Sequence, residues 1–164
     1  MKNIEDYIIE KIFSATNYVL SKIIKPDINI QKVGELNRDE ISKIKNRYGI
    51  EGVILDVDDT LRKDMKDIPP CNQEWIEQLK KQLKVIVVSN GIDKKVEQFL
   101  KEKDIEYIGF ANKPLKKSFI KACEKMNIEP EEVLVIGDGL FADIYGGKRN
   151  NMKTALVNQV EDER

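Results

Sequence analysis

Histidine is absent from all 164 residues. Its absence excludes Ser-His-Asp and Cys-His catalytic arrangements and any His-ligated zinc centre. Chemistry must therefore come from carboxylates, lysine and hydroxyls. Cysteine is scarce. Cys71 and Cys123 stand far apart and form no C-x-x-C pair, which reads as two ordinary thiols in a reduced, cytoplasmic protein. An excess of one charge sign is also missing. The 28 Lys and Arg against 29 Asp and Glu leave a net charge of −1. No global field draws the chain to nucleic acid or anionic lipid, and no nucleic-acid partner is expected. Long apolar runs are lacking, so a membrane-spanning helix is not expected. Met1-Lys2-Asn3-Ile4-Glu5-Asp6 places acid where a secretory signal would carry positive charge.

What is present describes a soluble globular protein, with 41% hydrophobic and 35% charged residues. The length favours a single domain over residues 1–164 with a real core. Residues 3–25 set Ile4, Ile8, Ile12, Ala15, Val19 and Ile23 on one helical face, and Pro26 ends the pattern. This amphipathic helix is read first as packing on the domain, with peripheral contact to the inner face of a membrane as the alternative. Its polar face is not richly basic, as an interfacial helix would be. A second helix starts at Asn37, with Glu40 three residues on, and stops at Gly49. Residues 1–48 thus read as a helical N-terminal extension, and 49–164 as the catalytic core.

From Gly52 the pattern becomes α/β. Strands are expected over 52–57, 85–88, 106–110, 133–136 and 154–157. Helices are expected over 72–83, 93–103, 114–127 and 140–149. Five strands with four crossovers imply a five-stranded parallel sheet covered by helices on both faces, a three-layer Rossmannoid fold. The Leu61–Ser89 and Ser89–Lys113 intervals are each filled by one helix and one strand, so no cap domain is expected. Trp75 and Leu79 read as core.

Four strand ends carry polar residues of one theme. Gly52-Val53-Ile54-Leu55 runs into Asp56-Val57-Asp58-Asp59-Thr60, and Val88 into Ser89-Asn90-Gly91. Lys113-Pro114 opens an expected helix, and Val133–Ile136 leads into Gly137-Asp138-Gly139-Leu140-Phe141-Ala142-Asp143. In a parallel sheet these ends share one edge and one cleft. Side chains alternate along a strand, so Asp56 and Asp58 begin on the same side and repel unless a cation or shared proton intervenes. A carboxylate can attack phosphorus, Mg2+ takes oxygen ligands, and a hydroxyl, loop amides and one lysine can hold the phosphate oxygens.

This order and spacing resemble the haloacid dehalogenase-like superfamily. The resemblance implies Asp56 as nucleophile and metal ligand, and Asp58 as general acid/base that offers its backbone carbonyl to Mg2+. It implies Ser89, Asn90 and Lys113 at the phosphate, Asp138 completing the metal site, and Asp143 as a direct or water-mediated outer ligand. Lys25-Pro26-Asp27, Gly49-Ile50-Glu51-Gly52, Asn112-Lys113-Pro114 and Ile136–Gly147 bring the chain closer to the YqeG-type family of subfamily IIIA, similar to mitochondrial phosphatidylglycerophosphate phosphatases. That resemblance implies a Mg2+-dependent phosphatase acting on a phosphorylated substrate such as a phospholipid head group. Alternatives are another phosphorylated metabolite or macromolecule, or a binding protein of this fold with little catalysis. Asp59, Gly139 and Ala142 depart from the residues commonest at their positions in that family.

Overall fold

The computed structural model describes residues 4–158. Asn3, the expected first residue of the N-terminal helix, lies outside the described residues. Helix α1 covers Ile4–Ile23 and is followed by β1 (Ile28–Ile30), a 3-10 turn (Val33–Glu35) and α2 (Arg38–Tyr48). The chain continues through β2 (Gly52–Leu55), α3 (Pro70–Lys80), β3 (Lys84–Val88), α4 (Lys94–Glu102) and β4 (Glu106–Ile108). Helix α5 (Lys116–Met126), β5 (Val133–Gly137), a π-helix (Leu140–Tyr145), α6 (Gly146–Lys148) and β6 (Lys153–Val157) complete it.

The sheet has six parallel strands in the order β1-β6-β5-β2-β3-β4. Five were expected. The sixth, β1, is an Ile-Asn-Ile edge segment too short to stand out as a pattern. It forms because Ile28 and Ile30 register with Ala155 and Val157. Residues 28–48, read from sequence as part of a helical extension, instead contribute this strand and the core residues Ile41 and Ile44 of α2. Asn37 does cap α2, accepting from the Asp39 and Glu40 amides, and Gly49 ends it at φ 69°, which glycine adopts without Cβ strain. Glu40 pairs with Lys43.

Alternation along each strand separates two cores. Val53, Leu55, Val87, Leu134 and Ile136 face α2, α3 and α4. Ile54, Ile86, Val88, Val133 and Val135 face the α5 residues Phe119, Ala122 and Met126. Trp75 belongs to the first core, and its indole N–H donates to the Leu36 carbonyl at 2.8 Å, which satisfies the one polar atom it buries. No cap domain interrupts the described residues.

The expected elements differ mainly at their ends. β4 stops at Ile108, because Phe110 turns to φ 47° and leaves the ladder exposed. The helix after Lys113 begins at Lys116. Lys113-Pro114 is cis and Leu115 is extended, so Pro114 stands before the helix rather than in its first turn. Helix α1 departs furthest: apart from the half-buried Asn17, Leu20 and Ser21, its described side chains are exposed. The apolar face expected to pack on the domain does not do so.

Candidate active site

The site forms where β2 and β5, the central pair of strands, end. Asp56 still donates its backbone N–H to Ile136 at 3.0 Å, as if the strand continued, and then the chain turns. The Val57 carbonyl accepts from the amides of Thr60, Leu61 and Arg62, folding Asp56–Arg62 into a tight loop. Asp56 lies on the same side of β2 as Ile54, the α5 side, and Lys113 arrives from the segment before α5. The Lys113 ammonium donates to Asp56 at 2.8 Å and to Asp143 at 2.6 Å.

Asp143 reaches the site through the π-helix. The amides of Asp143 and Ile144 both bond to the Gly139 carbonyl. This widened turn moves Asp143 from a helix surface into the interior, a known use of π geometry at functional sites. Gly137 makes the space: a Cβ there would overlap the Asp143 carboxylate. The Gly139 amide donates to that carboxylate at 3.1 Å.

One oxygen each of Asp56, Asp138 and Asp143 lie within 4.8 Å of one another. Burial, reinforced by the charges of Asp56 and Asp143, pushes the Asp138 carboxyl up to about 8. Burial also pushes Asp143 up to about 6, against the opposing pull of Lys113. Burial alone would lower the Lys113 ammonium, but its two carboxylate partners outweigh that and hold it above its usual value. Three carboxylates thus face one lysine in a low-dielectric pocket. They fit a hard divalent cation, which would relieve the repulsion that otherwise has to be met by protonation.

Asp58 stands apart from this cluster. Its side chain is half exposed and accepts from the Arg62 guanidinium at 2.8 Å. Arg62 is almost wholly buried and also donates to Asp93 at 2.7 Å and to the Lys66 carbonyl at 3.4 Å. Burial would lower the guanidinium, and Asp93 and Asp58 outweigh it. Asp93 in turn lies below its ordinary range, first because of Arg62 and then because its carboxylate caps α4. Arg62 and Asp93 were not legible as site residues, since Arg62 opens a charged stretch that resembles solvated loop. The available signal was that Arg62 follows Asp58 by one turn of chain.

Ser89 is buried at the end of β3, where its Oγ accepts from the Gly91 amide at 3.3 Å. Asn90, expected at the phosphate, uses its side chain otherwise. Its Oδ1 accepts from the Lys113 amide at 2.6 Å, and its Nδ2 donates to the Lys113 carbonyl at 3.3 Å. The Asn90 side chain therefore holds the lysine in place. The Thr60 hydroxyl, which closes the acidic motif but was given no role from sequence, donates to Asp56 at 3.3 Å. Beside Asp59 and Thr60 opens a cavity of about 620 Å³ lined in part by Lys32, Lys63, Lys66, Val33 and Leu61.

Residues 63–151 match the haloacid dehalogenase-like hydrolase family. A relative in Bacillus subtilis, "Probable phosphatase YqeG", is 35% identical over 141 residues, covering 85% of this chain and 80% of that protein. Over a 42-residue stretch the chain is 50% identical to "Glyceraldehyde 3-phosphate phosphatase" of Pyrococcus furiosus, covering 26% of this chain and 18% of that one. Among solved structures, a HAD phosphatase from Thermococcus onnurineus superposes with a TM-score of 0.52 at 17% identity, over 70% of this chain and 89% of that one. An uncharacterized protein from Listeria monocytogenes gives 0.55 at 19% identity, over 70% and 84%; at these identities both show a shared fold. Taken with the acidic cluster at the sheet edge, the chain belongs to the haloacid dehalogenase-like hydrolases, in their YqeG-type phosphatase branch.

Proposed function

We propose that this protein hydrolyses a phosphomonoester through an aspartyl-phosphate on Asp56, with Mg2+ as its cofactor. The observation that carries the reading is the division of labour between two carboxylates two residues apart. Asp56 sits inside the acidic cluster against Lys113, and Asp58 sits outside it on Arg62. In the first step an Asp56 oxygen attacks phosphorus, the bond to the leaving oxygen breaks, and Asp58 donates a proton to that oxygen. In the second, Asp58 takes a proton from water as the water attacks the aspartyl-phosphate, releasing inorganic phosphate and restoring Asp56.

Asp56, Asp138 and Asp143, with the Asp58 carbonyl, would hold Mg2+, which when bound offsets the combined charge of cluster and phosphate. Lys113 steadies Asp56 and faces the same charge from the protein side. The buried Ser89 hydroxyl, which accepts from the Gly91 amide, would donate to a phosphate oxygen.

The substrate we favour is a phosphomonoester on a large body, and phosphatidylglycerophosphate in particular. The likeness to subfamily IIIA supports it, as does the basic and apolar cavity beside the catalytic loop. The protein would then work in the cytoplasm, peripherally at the inner face of a membrane. Asp56→Asn should abolish turnover of both an aryl phosphate and phosphatidylglycerophosphate in vesicles, by roughly 10⁴-fold or more. Asp58→Asn should stall chiefly on the lipid, whose leaving alcohol needs the proton. Wild-type rates in Asp56→Asn would remove the covalent mechanism. Turnover of the lipid no faster than of the aryl phosphate would remove the substrate.

A further inference from the structure

Two apolar features of the surface are unexplained by the phosphatase chemistry. The first is α1. With 100° between successive residues, its half-buried positions Asn17, Leu20 and Ser21 and the buried Ile24 just past its end form one stripe at i, i+3, i+4 and i+7. That stripe, half of it polar, is turned inward. The opposite side holds Ile4, Ile8, Ile12 and Val19, each at least 49% exposed. Ile9 and Ile23 widen it to an apolar arc of about 140°, with the exposed Glu5 inside it, while the exposed Phe13 lies in line with Asn17 and Leu20. Thr16, within the arc, hides its hydroxyl on the Ile12 carbonyl at 2.8 Å.

The second feature is the rim of the acidic cleft. Met65, Ile92, Phe110, Leu115 and Phe141 are all exposed, at 49% or more. Each sits on a segment that follows the carboxyl end of a strand, so they surround the site from different loops. Exposed lysines stand beside them: Lys66, Lys94, Lys95, Lys116 and Lys117. Asp64 and Asp67 are acidic members of the same rim. Helix α1 approaches the π-helix that carries Phe141 and Asp143, so the two apolar features lie on neighbouring elements.

From this we infer that α1 and the cleft rim together form a docking face for the surface of an anionic lipid bilayer. Three observations favour a bilayer over a second copy of the chain. A two-helix seam needs only a narrow stripe, and this arc is wider. Two tyrosine-lysine pairs run along one edge of the arc, with the Lys11 ammonium 5.6 Å from the Tyr7 ring centre and that of Lys22 5.0 Å from Tyr18. Amphipathic rings and cations in that position suit the boundary between acyl chains and head groups, where lysines reach the phosphates. The rim repeats this chemistry, with single apolar side chains at loop tips and ammonium groups between them. No helix among the described residues is long and apolar enough to cross a membrane, so the contact lies in the surface plane. The docking would hold Asp56 over lipid-borne phosphomonoesters, a consequence that rests on the phosphatase reading.

The test uses the full chain and flotation with vesicles of phosphatidylcholine alone or mixed equally with phosphatidylglycerol. Wild type should float with the mixed vesicles. The double substitution Ile8→Glu/Ile12→Glu should lower the bound fraction at least tenfold, and Phe110→Glu several-fold. Asp56→Asn should bind as wild type does, so docking is read independently of catalysis. Hydrolysis of a soluble aryl phosphate by Ile8→Glu/Ile12→Glu should equal that of wild type, which shows that the variant is folded. The inference is overturned if wild type ignores both vesicles, or if binding survives Ile8→Glu/Ile12→Glu. It is equally overturned if that substitution turns a dimer into a monomer while wild type does not float.

Discussion

Arg62 is a buried cation held at three points, and that rigidity has a catalytic meaning under the proposed mechanism. A general acid has to meet the leaving oxygen at a fixed position, yet the Asp58 side chain is half exposed. The Arg62 fork fixes it, and Asp93 and the Lys66 carbonyl fix the fork. Because Asp93 also caps α4, the acid is referenced to a helix and not to the loop alone. Arg62→Ala should therefore lower kcat on an alkyl phosphate by about 10–100-fold, a part of the roughly 10²–10⁴-fold that general acid catalysis supplies. It should change an activated aryl phosphate far less, since that leaving group departs without a proton, and KM should hardly move. Arg62→Lys should fall between, because one ammonium cannot replace a planar fork that engages two carboxylates. Equal losses on both substrates would reduce Arg62 to a structural role.

At the scale of elements, one aspartate anchors the entry to β1. The Asp27 carboxylate accepts from the Thr154 amide at 2.9 Å and its hydroxyl at 3.1 Å, with Lys148 at 3.4 Å. Burial would raise its pKa, but the Thr154 bonds and the Lys148 charge prevail and lower it. A carboxyl depressed on folding stabilises the fold above its unfolded pKa and loses that contribution as pH falls through the folded value. Asp27→Asn should cost roughly 1–2 kcal/mol at neutral pH in urea unfolding. The gap to wild type should close below about pH 4. A gap independent of pH would mean that the carboxylate charge is not what holds β1. The same elements show what could be read in advance. β2, β3, β5 and β6 were legible because each buries a run of β-branched or leucine side chains on both faces of a parallel sheet. β1 was not, because three residues carry no period and their pairing comes from β6. The π-turn read as a plain helix, since its distinction lies in the hydrogen bonds to Gly139 and not in residue type.

For the whole molecule, six parallel strands bring to one edge residues that are far apart in sequence. Asp56, Lys113, Asp138 and Asp143 were therefore legible as one site as soon as the strands were. The part the Asn90 side chain plays in holding Lys113 was not legible, because nothing local shows that the fold brings the Lys113 backbone to it. That edge concentrates charge: three carboxylates against one lysine, with Asp138 driven up to about 8 by burial and its neighbours. A cation that binds the folded chain alone stabilises it by mass action, about 2.7 kcal/mol when present at a hundredfold its Kd. In a chain of this length that corresponds to a rise of roughly 5–10 °C in Tm. Thermal unfolding after exhaustive chelation, with and without added Mg2+, should show this rise. Asp138→Asn replaces the carboxyl that burial and its neighbours push toward its neutral form with a neutral group of the same shape, so its chelated form should melt no lower than chelated wild type. The same variant should lose most of the response to Mg2+. An equal rise in Asp138→Asn, or none in wild type, would show that the cluster does not hold the ion.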